Sequence, residues 1–250
     1  AIPAVFYNLS DLILGQSDKV MLQQMMDEAT VGCYGAALNF GGIMFTLFTA
    51  LNNSWCPFFF EDMKQGNRES LRDKAGNFLE LFTVLSVGFV LLASEVYRYV
   101  YVSKDFWGST MLIPIFVSSY YTNFLCTFPV NFEYYHKKTK VVSIITIVSS
   151  LVNVGLNYLL ILRIGMAGAA VATLISHSLQ LTLHYLYVRF ALGGKEYPFP
   201  LKMWVGYAAI FAAVAVASVA ADGLWLARWG LGAAIGLWEL LRIRKRKVLI

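Results

Sequence analysis

Asn8, Asp11, Gly15 and Asp18 recur at alternating spacings of three and four residues, with Lys19 at the edge of the same register. On a helix this spacing puts the four on one face. The flanking residues are apolar, so that face would lie inside a membrane. There an ionisable side chain costs about 2.5–3.5 kcal/mol and normally turns to a partner or to water. Asp18 and Lys19 point about 100° apart as sequence neighbours, so each needs partners elsewhere. Two readings stand. In one, the pair makes structural contacts with a neighbouring helix. In the other it lines a water-filled cavity, where Asp18 or Asp11 takes up a proton or ion and Lys19 attracts an anionic substrate. Leu22 is next in the register and ends the polar face.

Three further stripes have helical spacing: Asn39, Gly42, Thr46, Thr49 and Asn53; Tyr120, Asn123 and Thr127; and Ser150, Asn153 and Asn157. Small and amide side chains in such stripes either knit helices together in lipid or converge to build a hydrophilic lumen. On the second reading Lys19, Asn8, Asn39, Asn53, Tyr120, Asn123, Asn153 and Asn157 line the cavity, and Asp18 or Asp11 couples the ion. Glu80 and Glu95 stand near the ends of one apolar run, placed to snorkel to the interface or to pair with nearby cations. His177 and His184 share a helical face without a third ligand at suitable spacing, which points to packing or interhelical hydrogen bonds rather than a metal. Cys33, Cys56 and Cys126 are scattered through apolar runs and read as buried thiols. No phosphate-binding GxxxxGK[ST] loop, HExxH or nucleophile elbow is present. The sequence therefore predicts neither an ATPase motor nor an enzyme, and no cofactor.

The elements that must carry these residues are transmembrane helices. The hydrophobic fraction of 58% and charged fraction of 14%, with a mean hydropathy of +0.60, lie outside the soluble range. Apolar runs cover 1–26, 31–60, 75–97, 107–132, 141–162, 165–188, 202–221 and 223–241, predicting an all-α polytopic protein of about eight spans. The second run should end near Trp55 and Pro57. Pro114 and Pro129 should kink the fourth near its ends. Gly165, Gly168 and Ala169 permit a tight, closely packed turn between the fifth and sixth. Continuous apolar runs exclude a β-barrel.

Fifteen of the twenty Lys and Arg residues cluster in 64–74, 137–140, 189–202 and 242–247, after every second run. Cytoplasmic loops are enriched in these residues, so the clusters and the C-terminus should be cytoplasmic. The net charge of +5 then meets anionic lipid headgroups rather than nucleic acid. The opening AIPAVFYNLSDLIL is already apolar, without a basic leader or an initiating Met, and reads as the middle of a longer protein or an incomplete gene product.

NLSDLILGQSDKVML, with Ser17, Asp18 and Lys19, resembles the seventh span of the polysaccharide flippase family, the Wzx-type O-antigen and capsule translocases. These belong to the multidrug/oligosaccharidyl-lipid/polysaccharide exporter superfamily. VGCYGAALNFGGIM with ALNNSWCPFFFE resembles that family's eighth span and its exit. YYHKKTK with SSLVNVGLNYLLILRIGMAGAAVATLISH resembles its late helical pair. The resemblance implies the second lobe of a MATE-like fold: residues 1–190 as a six-helix lobe, and 191–250 as two additional helices with a basic tail. It also implies flipping of an undecaprenyl-pyrophosphate-linked oligosaccharide across the bacterial inner membrane by alternating access, beside a polysaccharide polymerase. The first lobe of the family pattern is missing, so half of the cavity is too. A multidrug or organic-cation antiporter of the same superfamily, a polytopic polymerase or glycosyltransferase, and a structural membrane subunit are the alternatives.

Overall fold

Apolar runs separated by short basic or glycine turns fold into antiparallel helices, because backbone polar groups in lipid must be satisfied within the segment. The computed structural model describes residues 17–101, 103–192, 196–220 and 223–246, with side chains through 238. The helices are α1 (residues 17–25), α2 (Glu28–Gln65), α3 (Arg68–Val100), α4 (Ile113–Tyr135), α5 (Thr139–Ile164), α6 (Met166–Phe190), α7 (Leu201–Ala220) and α8 (Trp225–Arg246). A 3-10 helix, Lys104–Leu112, leads into α4. There is no strand among the described residues.

The protein is an all-α polytopic membrane protein. Six described helical segments are long and apolar enough to cross a bilayer, from α2 through α7, with the 3-10 segment counted into α4. The first expected span lies mostly outside the described residues. The eighth forms a helix, but α8 is not apolar enough to join the six, since it contains Arg228 and runs on to Arg246.

Helix boundaries depart from expectation where local chemistry extends them. α2 continues through Pro57 to a left-handed Gly66, because proline removes one backbone donor while the neighbouring turns hold. Pro114 opens α4 rather than kinking it, taking the first turn where an N–H has no intrahelical partner. Pro129 lies inside α4.

α4 occupies the middle, packing against α2, α3, α5, α6 and α7. Two close approaches fix its surroundings. A β-carbon at Gly41 would stand 3.1 Å from Phe116 Cβ, which brings α2 tight against α4. At the α5–α6 turn, Gly165 has φ +59 and ψ −140, a region open to glycine. A β-carbon at Gly168 would overlap the Leu160 carbonyl.

At the end of the bundle that carries the basic turns, the segment between α6 and α7 forms a buried strap. Phe199 lies 5.2 Å from Phe128 and 6.2 Å from Trp55, ring to ring. Arg72 Nε donates to the Pro198 carbonyl at 3.0 Å, tying the strap to α3. At the opposite end Arg228 of α8 reaches Glu95 of α3 at 3.2 Å and Ser94 Oγ at 3.1 Å. Glu95 therefore has the cationic partner its position suggested.

Candidate functional site

The site begins at the corner between α1 and α2. Asp27 caps α2, accepting from the backbone N–H and the hydroxyl of Thr30, each at 2.8 Å. These bonds favour the charged carboxylate, the backbone one most, and hold its pKa below the ordinary aspartate value. The corner reverses the chain, so Tyr34 of α2 comes back alongside Asp18 of α1.

Asp18 is 2% exposed. One carboxylate oxygen accepts from the Lys19 backbone N–H at 2.8 Å, and the other from the Tyr34 hydroxyl. Tyr34 is held edge-on to Phe116 of α4 at 5.2 Å. Tyr120, one turn further along α4, lies within reach of the Asp18 charge and packs on Phe45 of α2 at 5.5 Å. Tyr34 of α2 and Tyr120 of α4 therefore converge on Asp18 of α1. Asp18 itself is closed over by Tyr34, so in this conformation it does not face open space as the cavity reading expected. Lys19 is half-buried.

A second junction lies on the other side of α1. Ser17 Oγ donates to Asn153 Oδ1 at 2.8 Å, and Asn157 Nδ2 donates to the same oxygen at 3.0 Å. Asn153 Nδ2 reaches Thr173 Oγ1 of α6 at 3.5 Å. Asn153 and Asn157 are both fully buried. They knit α1, α5 and α6 together and do not line a lumen here, which is the helix-packing use of such stripes.

The α2 stripe behaves in the opposite way. Asn39, Thr46, Thr49 and Asn53 are exposed, with Gly42 half-buried among them. Thr46 and Thr49 return their hydroxyls to the carbonyls of Gly42 and Phe45, as threonines in lipid can. The Asn39 and Asn53 amides have no such recourse and no hydrogen bond among the described residues. Asn123 and Thr127 of α4 are half-buried. Asn8 and Asp11 lie outside the described residues.

His177 and His184 both turn to α4, His177 to the Ser119 backbone and His184 to Glu133 at 2.8 Å. They serve interhelical hydrogen bonding, and no three potential metal ligands converge among the described residues. Sequence reasoning missed Glu133 and Tyr34. Glu133 had a signal, an acid set between Phe132 and Tyr134 in an apolar helix; Tyr34 had none beyond its register. A groove of about 590 Å³ opens between α3, α7 and α8, with Glu80 and Lys202 in a mainly apolar lining. None of the described residues singled out as cavity-lining or ion-coupling borders it.

Fold and site together define a polytopic helical membrane protein with ionisable and amide groups at its helix junctions. No family model matches the chain. Over 152 residues it is 25% identical to a protein of Haemophilus influenzae whose name is "Uncharacterized membrane protein". The match takes in 60% of this chain and 38% of that protein's length. It agrees with the membrane assignment.

Proposed function

We propose that this chain is one lobe of an alternating-access transporter that flips an undecaprenyl-pyrophosphate-linked oligosaccharide across the bacterial inner membrane for surface polysaccharide assembly. The exposed amide stripe of α2 carries the reading. An unpaired amide facing hydrocarbon costs several kcal/mol, roughly 2–7 depending on the reference state. The face bearing Asn39 and Asn53 therefore calls for water, a glycan or a second lobe opposite it. Asp18 and Lys19 lie beside the same helix, so an anionic headgroup entering there meets a half-buried cation and a carboxylate able to take up the coupling ion. Residues 1–190 would form the lobe and 191–250 its additional helices. The basic end faces the cytoplasm, by the Lys and Arg distribution. A complementary lobe and a polysaccharide polymerase are the expected partners.

The test is reconstitution of the full-length protein with a fluorescent lipid-linked oligosaccharide, scored by protection from a membrane-impermeant quencher. Asn39→Leu with Asn53→Leu should abolish flipping at normal protein levels. Undiminished flipping in that variant would remove the stripe from the mechanism. Movement of organic cations without glycan would replace the reading by that of an antiporter.

A further inference from the structure

The bundle holds a fully buried ionisable pair that the transport reading leaves unused. Glu133, near the end of α4, accepts from or donates to His184 Nδ1 of α6 at 2.8 Å, and both side chains are 0% exposed. A pair serving packing alone would spend its remaining hydrogen-bonding capacity on neighbours. This one does not: Glu133 Oε2 and His184 Nε2 are both buried with no partner among the described residues. Each keeps a lone-pair or proton site free inside a dry core.

The buried strap packs beside the pair at the basic end. Tyr197 packs edge-on against Phe132, next to Glu133, at 5.2 Å, and lies 6.4 Å from Tyr185, next to His184. The Tyr197 hydroxyl is likewise buried without a partner among the described residues and feels the Glu133 charge. Cys126 on α4 feels it too. From α5, Thr146 takes a hydrogen bond from Gln180 at 3.3 Å, one turn before His184, and adds no charge. His184 is the ionisable side chain hydrogen-bonded to Glu133.

We infer that Glu133 and His184 form a proton-binding site at the basic end of the lobe, loaded with one proton in this packing and emptied when the strap over residues 196–200 lifts. The charge balance gives the reason. A carboxylate hydrogen-bonded to a neutral imidazole carries a net charge of one negative unit, which a dry core strongly disfavours. One proton from water, taken up at His184 Nε2 or on the carboxyl, brings the pair to neutrality and breaks no other bond. The loaded pair suits a closed strap. The empty pair needs hydration, so losing the proton favours opening. The proton site stands on this geometry alone, and its use to drive transport rests on the function proposed above.

The experiment uses purified full-length protein in lipid nanodiscs, titrated from about pH 5 to pH 8, the range in which histidine titrates. Backbone hydrogen exchange of residues 196–200 is corrected for the intrinsic rate. In wild type, protection should fall about tenfold for each pH unit above the apparent pKa of the pair. Glu133→Gln removes the negative state, so its strap should stay protected throughout. A pH-independent strap in wild type, or the same loss in Glu133→Gln, would overturn the site.

Should Glu133→Gln fail to fold, a His136→Gln/His177→Gln background leaves His184 as the sole histidine. Its imidazole ¹⁵N signals should then change protonation state together with the loss of strap protection. An imidazole fixed in one state throughout sinks the proposal. A site that titrates in a protein whose flipping ignores pH gradients would remove the transport role alone.

Discussion

The Tyr34 hydroxyl on α2 donates to the carboxylate of Asp18 on α1, sealing this buried acid against a neighbouring helix. Two consequences follow from the one bond. It fixes α1 against α2 across a tight corner, and it makes Tyr34 the side chain that must move before Asp18 can meet water. Tyr34→Phe leaves a buried carboxylate short of a donor and should cost about 1–3 kcal/mol. Asp18→Asn should lose less, and the double variant should fall well short of the sum. Unfolding midpoints of the four proteins in one detergent measure the coupling; strict additivity would mean that the bond contributes nothing.

The all-α polytopic architecture, six of the eight expected spans and the tight α5–α6 turn were legible because they depend on composition and local backbone rules. Asn153 and Asn157 were visible as a stripe, but their use was not. An amide at helical spacing looks the same whether it meets Ser17 and Thr173 or a lumen. Asn39 and Asn53 show the same spacing and are exposed. What separates the two stripes is which helix lies opposite, a long-range property. Glu133 was passed over because its partner stands 51 positions along the chain, beyond the reach of any periodicity within one helix.

The α5–α6 turn should tolerate no side chain at Gly168. A β-carbon there would collide with the Leu160 backbone, which cannot swing away as a side chain could. Gly168→Val should leave little folded protein in the membrane fraction. Gly165→Ala meets only the flexible end of Met26, at 3.5 Å, so its penalty is conformational, about 1–3 kcal/mol for the positive φ. Size-exclusion profiles of the two variants should therefore differ, with Gly165→Ala still monodisperse and Gly168→Val aggregated.

The Asp27 cap gives the start of α2 a defined pH dependence. Its folded pKa lies below the ordinary value because Thr30 binds the charged form. The stabilisation is therefore complete above the unfolded aspartate pKa, about 3.9, and is lost as pH falls through the lower folded value. Amide exchange at Thr30, corrected for its intrinsic rate, should accelerate only in that acid window. In Asp27→Ala it should be fast at every pH.

The clamp between α8 and α3 should be asymmetric to mutation. Arg228 is 3% exposed and Glu95 21%, with Trp229 Nε1 also donating to Glu95 at 3.4 Å. Glu95→Gln takes the carboxylate from a buried guanidinium, a loss of about 3–5 kcal/mol. Arg228→Met leaves Glu95 with its tryptophan and partial access to water, so it should cost less. Replacing both by Met removes the buried charge altogether and should recover most of the loss. A disulfide cross-link reports the docking directly, because a β-carbon at Gly232 would lie 3.9 Å from Leu91 Cβ, within disulfide range. Leu91→Cys with Gly232→Cys should cross-link efficiently with the native clamp, poorly with Glu95→Gln, and again in the double Met background. Equal cross-linking in all three would show that apolar packing, rather than the ion pair, holds α8 in place.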